Sequence, residues 1–441
     1  MLPTTMACGQ VPQPSPSPVS AVVAAGVRHN DSGPVLTLAQ AIDMAMGQAS
    51  AYRSAQLNES IAHEDVKQAR TAFLPKISAP LDLIYTSPSL GPTRPRPPSF
   101  LGANAVTEWQ ALINAAGEID TSGKLRAMLL KDQALVESAR AGSEVAKRDL
   151  VQAVTDAYYS VVLSTAKRRG AESNLATAQE FEGNTKLNLD AGEVAPIDLV
   201  RARLQTSSRH DELTQATSEE AVNADALRML IGRSFSEAIA VDDLMTEMPV
   251  DNEIERFSET AISTRPEFAQ FAADKRASEQ DLNLARAERR PQLTYSVSSG
   301  FIADSLKFGR IKDQSGVQAT IGFTIPIFDW GSSRSRETQA RLRLQQNENL
   351  RALAERQFAQ AFFTARNQAV FARDRIRRLA ASTNDAVTNV NTSIARYRAG
   401  EGPINEVIDA QNQLVTMQQA LYQAIYDYQT AKSRLARASG Q

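Results

Sequence analysis

The chain of 441 residues carries 48 basic and 50 acidic side chains, a near balance that supplies no bulk attraction to nucleic acid or anionic lipid. One cysteine, Cys8, excludes an internal disulfide and a thiolate metal cage, and no run of about 18 apolar residues exists to form a transmembrane helix. Only 6% of residues are aromatic, and Ala, Gln, Arg and Leu are abundant, a composition closer to one long helical object than to several ordinary domains.

Residues 1–35 read as a disordered tether. Pro12, Pro14, Pro16 and Pro18 stand among serines and small residues, which bury too little apolar area to order a chain. Within it, Thr5-Met6-Ala7-Cys8 resembles the end of a bacterial lipoprotein signal, in which small residues precede the lipid-bearing cysteine. Too few residues precede Cys8 to hold a charged region and an apolar core, so lipidation requires a start further upstream. A chance cysteine in an open tail is the alternative.

Leu36 to Phe73 reads as a helix, opened near Thr37 and ended by Pro75. Ile77, Ala79, Leu81, Leu83 and Tyr85 then alternate with polar neighbours, the period of a strand with one greasy face. After a proline-crowded loop through Pro98, a second alternating run places Trp109, Ala111, Ile113, Ala115 and Ile119 on one side. A helical stretch runs from Gly123 to about Asp190, a turn follows, and a helix returns from about Ile197 to Ile231. Residues 233–251 form a connector. A helix beginning near Asn252 ends before Pro291; Leu293, Tyr295 and Val297 alternate next, and Val317 to Ile327 is the clearest strand. Gly331 releases the chain into Ser332 to Ala399, which has no glycine or proline. An unbroken helix there is roughly 100 Å long. Its apolar positions Phe358, Phe362, Ala365, Ala369, Ala372, Ile376 and Leu379 form a narrow coiled-coil seam. A return helix follows the turn at Gly400.

The order repeats. Pro75 and Pro291 differ by 216, and Gly192 and Gly400, Ala202 and Ala410, and Leu227 and Leu435 all differ by 208. The chain is therefore an internal duplication, residues 36–232 and 252–441, each of helix, two strands, long helix, turn and helix.

Each strand run has about the length of a tilted bilayer crossing, with lipid suited to one face and water to the other. Four strands leave two unpaired edges, which hydrocarbon does not tolerate. A trimer giving twelve strands is the small closed solution with a lumen. Soluble hairpins packed on the helices are the alternative, but the face from Val317 to Ile327 would then need a helix to cover it. Tyr85, Trp109, Phe328 and Trp330, near strand ends, suit the membrane interfaces.

With this duplicated order, and with Gly192-Glu193-Val194-Ala195-Pro196-Ile197-Asp198 and Tyr397-Arg398-Ala399-Gly400 closing the hairpins, the chain from Leu36 to Gln441 resembles the TolC-like outer-membrane efflux family; with Cys8, it resembles the lipoprotein branch. The resemblance implies a mainly α fold with a transmembrane β-barrel portion: a homotrimer with a twelve-stranded barrel in the bacterial outer membrane and long hairpins forming a periplasmic α-barrel. It also implies an exit duct of a tripartite efflux or type I secretion system, fed by an inner-membrane pump through a periplasmic adaptor. The docking tips would be Gly192, Glu193, Val194, Ala195 and Pro196, with Gly400, Glu401, Gly402 and Pro403. Family members constrict the duct with acidic residues at the inner end, matched here by Asp198, Glu406 and Asp409, and Tyr397 matches an aromatic that helps hold the closed state. Gly402 stands where some members carry a gating arginine, with Arg398 and Arg201 as candidate substitutes. Glu406 and Asp409 share a helix face, and threefold symmetry would make rings of them; solvated first-turn acids are the plainer reading.

His29, His63 and His210 are scattered without metal-ligand spacing, and no phosphate loop or nucleophile elbow occurs, so neither an enzyme nor a cofactor is expected. A pore-less periplasmic adaptor or coiled-coil scaffold is the rival. It would have one hairpin and small β-domains, whereas this chain has two hairpins and four strands. The exported cargo stays open among drugs, metal ions and proteins.

Overall fold

The computed structural model describes residues 35–88, 106–250 and 252–440; the tether with Cys8, and most of the proline-crowded loop, lie outside the described residues. In order, the elements are β1 (Val35–Leu36), α1 (Leu38–Met46), α2 (Ala51–Thr71), β2 (Lys76–Ser78), β3 (Leu81–Tyr85), β4 (Thr107–Ile119), α3 (Lys124–Asp190) and α4 (Pro196–Ile231). Then come β5 (Ala240–Val241), short 3-10 turns, α5 (Pro266–Ala287), β6 (Gln292–Ala303), α6 (Phe308–Asp313), β7 (Ser315–Thr324), α7 (Ser332–Arg398) and α8 (Ile404–Ala438). The chain forms two compact units. One holds Ala153–Asp251 and Gln368–Thr430 with the chain up to Ala45; the other holds Met46–Gln152, Asn252–Asn367 and the C-terminal end.

The helices repeat in register. Both α3 and α7 have 67 residues, and their first residues, 124 and 332, differ by 208. A helix of that length extends roughly 100 Å. Each is started by a carboxylate: Asp120 accepts from the amides of Leu125 and Arg126, and Asp329 from those of Gly331 and Ser333. Such caps satisfy donors that a helix leaves orphaned. On α7 the buried residues Phe362, Ala365, Ala369, Ala372 and Ile376 follow the three-and-four spacing of a seam.

In the second unit the strands form an antiparallel meander, β2 and β3 both pairing with β4, β4 with β6, and β6 with β7. Paired residues share a face. Ile77 lies opposite Ala115, Ala115 opposite Val297, and Val297 opposite Ala319, while Ser78, Asn114, Ser298 and Gln318 line up on the other side. The alternation seen in each strand therefore adds up to one apolar and one polar face. The apolar face is bare: Val317 is 74% exposed and Ile321 78%. The helix that soluble hairpins would require does not cover it. No described helix is long and apolar enough to cross a membrane.

Five boundaries differ from the sequence reading. The first strand run is two, β2 and β3, interrupted at Ala79 and Pro80, but both pair with β4 and so fill one position in the sheet, leaving four strand positions per chain. The first helix is two, α1 and α2, because Gly47 to Ser50 break it and Ser50 caps the second piece through the Arg53 amide. Leu36 lies instead in β1, which pairs in parallel with β5 of the connector. The helix expected near Asn252 starts at Pro266: proline at the first helical position holds Arg265 extended, and 3-10 turns occupy Ile254–Arg256 and Glu259–Thr264. The clearest strand stops at Thr324, since Pro326 has no amide to pair. The loop before that strand contains α6.

The connector is anchored within the first unit. Tyr158 and Tyr159 donate to Asp242 and Glu247 at 3.2 and 3.3 Å, and the Gln429 amide reaches the Glu247 carbonyl at 2.7 Å.

Candidate channel constriction at the hairpin turns

Both hairpin turns, which lie in the first unit, use the same local chemistry. Gly192 and Gly400 sit in the left-handed region, at φ 76° and 73°, where a side chain would be strained. The Gly192 amide donates to Leu189 and the Glu193 amide to Asn188; in the second copy Gly400 donates to Tyr397 and Glu401 to Arg396, all at 2.9 to 3.0 Å. This paired closure satisfies the last carbonyls of each long helix. Pro196 then opens α4, its missing amide costing nothing at that position, and Ile404 opens α8.

Behind the turns, Phe181, Ala202, Ile404 and Val407 form a buried cluster on which Ile394, Tyr397 and Ile408 pack. The Phe181 and Tyr397 rings stand 5.6 Å apart at 52°. The Tyr397 hydroxyl is buried without a hydrogen-bond partner among the described residues, within the influence of the Asp198 carboxylate and of Thr185. Burial, then that carboxylate, pushes its pKa above the usual tyrosine value, against a smaller lowering from Thr185. Two of the residues singled out in the sequence, Asp198 and Tyr397, are thus brought together. Phe181 and Thr185 complete the group and were not anticipated, although Ala178, Phe181 and Thr185 continue a buried stripe along α3.

The other acids are arranged differently. Asp198 stands 3.7 Å from Arg201 on its own helix. Glu406, its equivalent 208 residues on, has Asp409 where Arg201 would be, and takes its counter-charge from Arg396 across the turn. Asp409 is exposed. Of the two arginines considered as substitutes at the tip, Arg201 meets Asp198, while Arg396 rather than Arg398 meets Glu406. Gly402 leaves room for this ion pair, since a Cβ there would come within 3.1 Å of the Glu406 carboxylate. Among the described residues no group of His, Cys, Asp and Glu gathers to hold a metal.

Paired long hairpins that end in acidic turns, joined to strands with a bare apolar face, define an outer-membrane channel protein. The chain belongs to the outer membrane efflux protein family, whose sequence profile matches residues 41–233 and 257–441. Among its relatives, the pyoverdine export outer membrane protein OpmQ of Pseudomonas putida is 24% identical over 71% of this chain and 66% of its own length. The probable outer membrane lipoprotein SilC of Salmonella typhimurium is 22% identical over 76% of this chain and 72% of its own. In fold, the chain matches the outer membrane protein VceC of Vibrio cholerae with a TM-score of 0.78 at 17% identity, covering 91% of this chain and 96% of that one. The family makes it an outer-membrane efflux protein, not an enzyme, and the fold is the one seen in solved outer-membrane channels. They give no support to a pore-less adaptor.

Proposed function

We propose that three copies close a twelve-stranded barrel and that the assembled duct carries cargo outward from an inner-membrane pump, handed on by a periplasmic adaptor at the hairpin turns. Closure in lipid requires each unpaired sheet edge to meet another. The two repeats, 36–232 and 252–441, would each supply half of the strands and one hairpin, with 1–35 as a tether and 233–251 as a connector. Gly192 to Pro196 and Gly400 to Pro403 would be the docking turns, and Cys8 a lipid anchor.

One observation carries the constriction: Asp198 and Glu406 occupy equivalent first-turn positions of α4 and α8, 208 residues apart. Threefold symmetry turns each, with Asp409, into a ring of carboxylates, and such rings favour cations in a narrow pore. Tyr397 sits behind them and helps hold the closed turn. In planar bilayers the protein is expected to form cation-preferring pores. Replacing Asp198, Glu406 and Asp409 together by Asn, Gln and Asn should raise conductance or weaken block by multivalent cations. A protein that forms no pores defeats the channel reading; pores whose currents are unchanged in the triple variant defeat the ring.

A further inference from the structure

The register of the duplication bears on the exposed side of α4. Within the chain, α4 and α8 meet through a polar contact: the Arg209 guanidinium donates to the Asn412 side-chain oxygen at 2.5 Å, with Gln205 3.0 Å from the same oxygen and Glu212 holding the guanidinium at 2.7 Å. Nearer the turn, Ile408 packs on the cluster that contains Ala202. The contact thus pairs Ala202, Gln205 and Arg209 of the first copy with Ile408 and Asn412 of the second.

Exchanging the copies gives its counterpart. Adding 208 turns Ala202, Gln205 and Arg209 into Ala410, Gln413 and Met417; subtracting 208 turns Ile408 and Asn412 into Val200 and Leu204. Both members of the central polar pair have become apolar together, Arg209 with Asn412 being replaced by Met417 with Leu204. Among the described residues none covers the two α4 members of this second set: Leu204 is 66% exposed and Val200 47%, spaced four apart on one face of α4. Met417 is half-buried on α8.

We infer that Val200 and Leu204 of one copy seat on Gln413 and Met417 of a second copy. This face then repeats between chains the contact that Arg209 and Asn412 make within one. The inference rests on the oligomeric reading above. A contact between two different faces propagates head to tail and closes into a ring when the rotation permits. The ring then alternates two kinds of seam: one inside each chain that carries the buried Arg209 guanidinium, and one between chains that centres on Leu204 and Met417.

The test places a benzophenone amino acid at Leu204 of the full-length protein in native outer membranes, where its exposure in the single chain lets it be accommodated. Irradiation is expected to join one copy to another, with the joined peptide containing Met417, a favoured benzophenone target. Attachment to another protein, to lipid, or to the same chain away from α8 overturns the inference. Independently, Leu204→Glu should lower the temperature at which the oligomer dissociates, and adding Met417→Lys should restore most of the loss. No loss, or no rescue, overturns it as well. Should the unmodified protein itself be a monomer without pores, the proposed function fails; if it is a conducting oligomer and the adduct misses α8, only the seam fails.

Discussion

The ring of Phe181 stands 5.6 Å from that of Tyr397, a contact the duplication does not repeat: Asn389 and Leu189 occupy the equivalent positions. One aromatic pair therefore joins the two hairpins of a chain behind the acidic turns. Phe181 is buried, so Phe181→Ala should cost about 3–5 kcal/mol of local packing. The expected outcome is a lower melting temperature and a larger or noisier single-channel conductance. A variant with unchanged melting and conductance would show that the pair does not hold the tip.

Tyr397 links this packing to pH. Its folded-state pKa is raised above 10.0, first by burial and then by Asp198, so the folded protein holds the phenol proton more tightly than the unfolded chain does. The contribution to stability is complete below the unfolded value and is lost as pH rises through the higher folded one. Conductance should therefore climb, and the hairpin loosen, above about pH 10. Tyr397→Phe should remove that alkaline step. Tyrosinate absorbance followed alongside pore current checks it, and a step that persists in the Phe variant points to another group.

Arg396 and Glu406 form an ion pair with both side chains substantially exposed, so its stability contribution is at most about 1 kcal/mol. Its effect on the pore field is expected to be larger. Arg396→Gln should leave melting nearly unchanged while shifting the reversal potential in a salt gradient toward stronger cation preference, because Glu406 loses its counter-charge. A shift toward anions would contradict this placement.

A buried ion pair tests the duplication at the level of packing. Arg168 and Glu220 meet at 2.7 Å, both almost wholly buried, with Thr165 donating to the same carboxylate at 2.7 Å. The equivalent positions in the second copy are Ile376 and Tyr428, also fully buried. Arg168→Ala leaves Glu220 without this guanidinium and should cost about 3–5 kcal/mol, whereas an apolar exchange of both partners is often neutral. Thermal melting should rank Arg168→Ile with Glu220→Tyr well above Arg168→Ala. Equal losses would mean that the two sites do not pack alike.

In the sheet, Gly300 faces Leu112 across the β4 and β6 pair, and a Cβ there would lie 2.0 Å from the Ala111 carbonyl oxygen. Backbone cannot yield as a flexible side chain can, so Gly300→Val should break this pairing. Loss of the heat-modifiable oligomer band on gels is the expected readout, and an unaltered band would place the strands in another register.

Much of the fold was legible because it is periodic. Alternation in the strands named the face of each residue, since the pleat leaves only two choices. The absence of glycine and proline from Ser332 to Ala399 marked one long helix, and it ends at Arg398. Legibility failed at boundaries where local hydrogen bonding competes with period. Ser50 cut one apparent helix in two by capping its own helix, and Pro266 delayed another.

By itself, then, the sequence determined the duplication, the two-faced strands, the long helices and the glycine turns, all consequences of backbone preference and spacing along the chain. The tertiary structure alone decided which side chains share the candidate constriction. Phe181 and Tyr397 are 216 residues apart, and Glu406 could have drawn its counter-charge from Arg396 or Arg398. Such choices are made by helix rotation and side-chain packing, and neither leaves a signature in the order of residues. Acidic turns could be read from the chain, but the partners that hold them appear only when the two hairpins stand side by side.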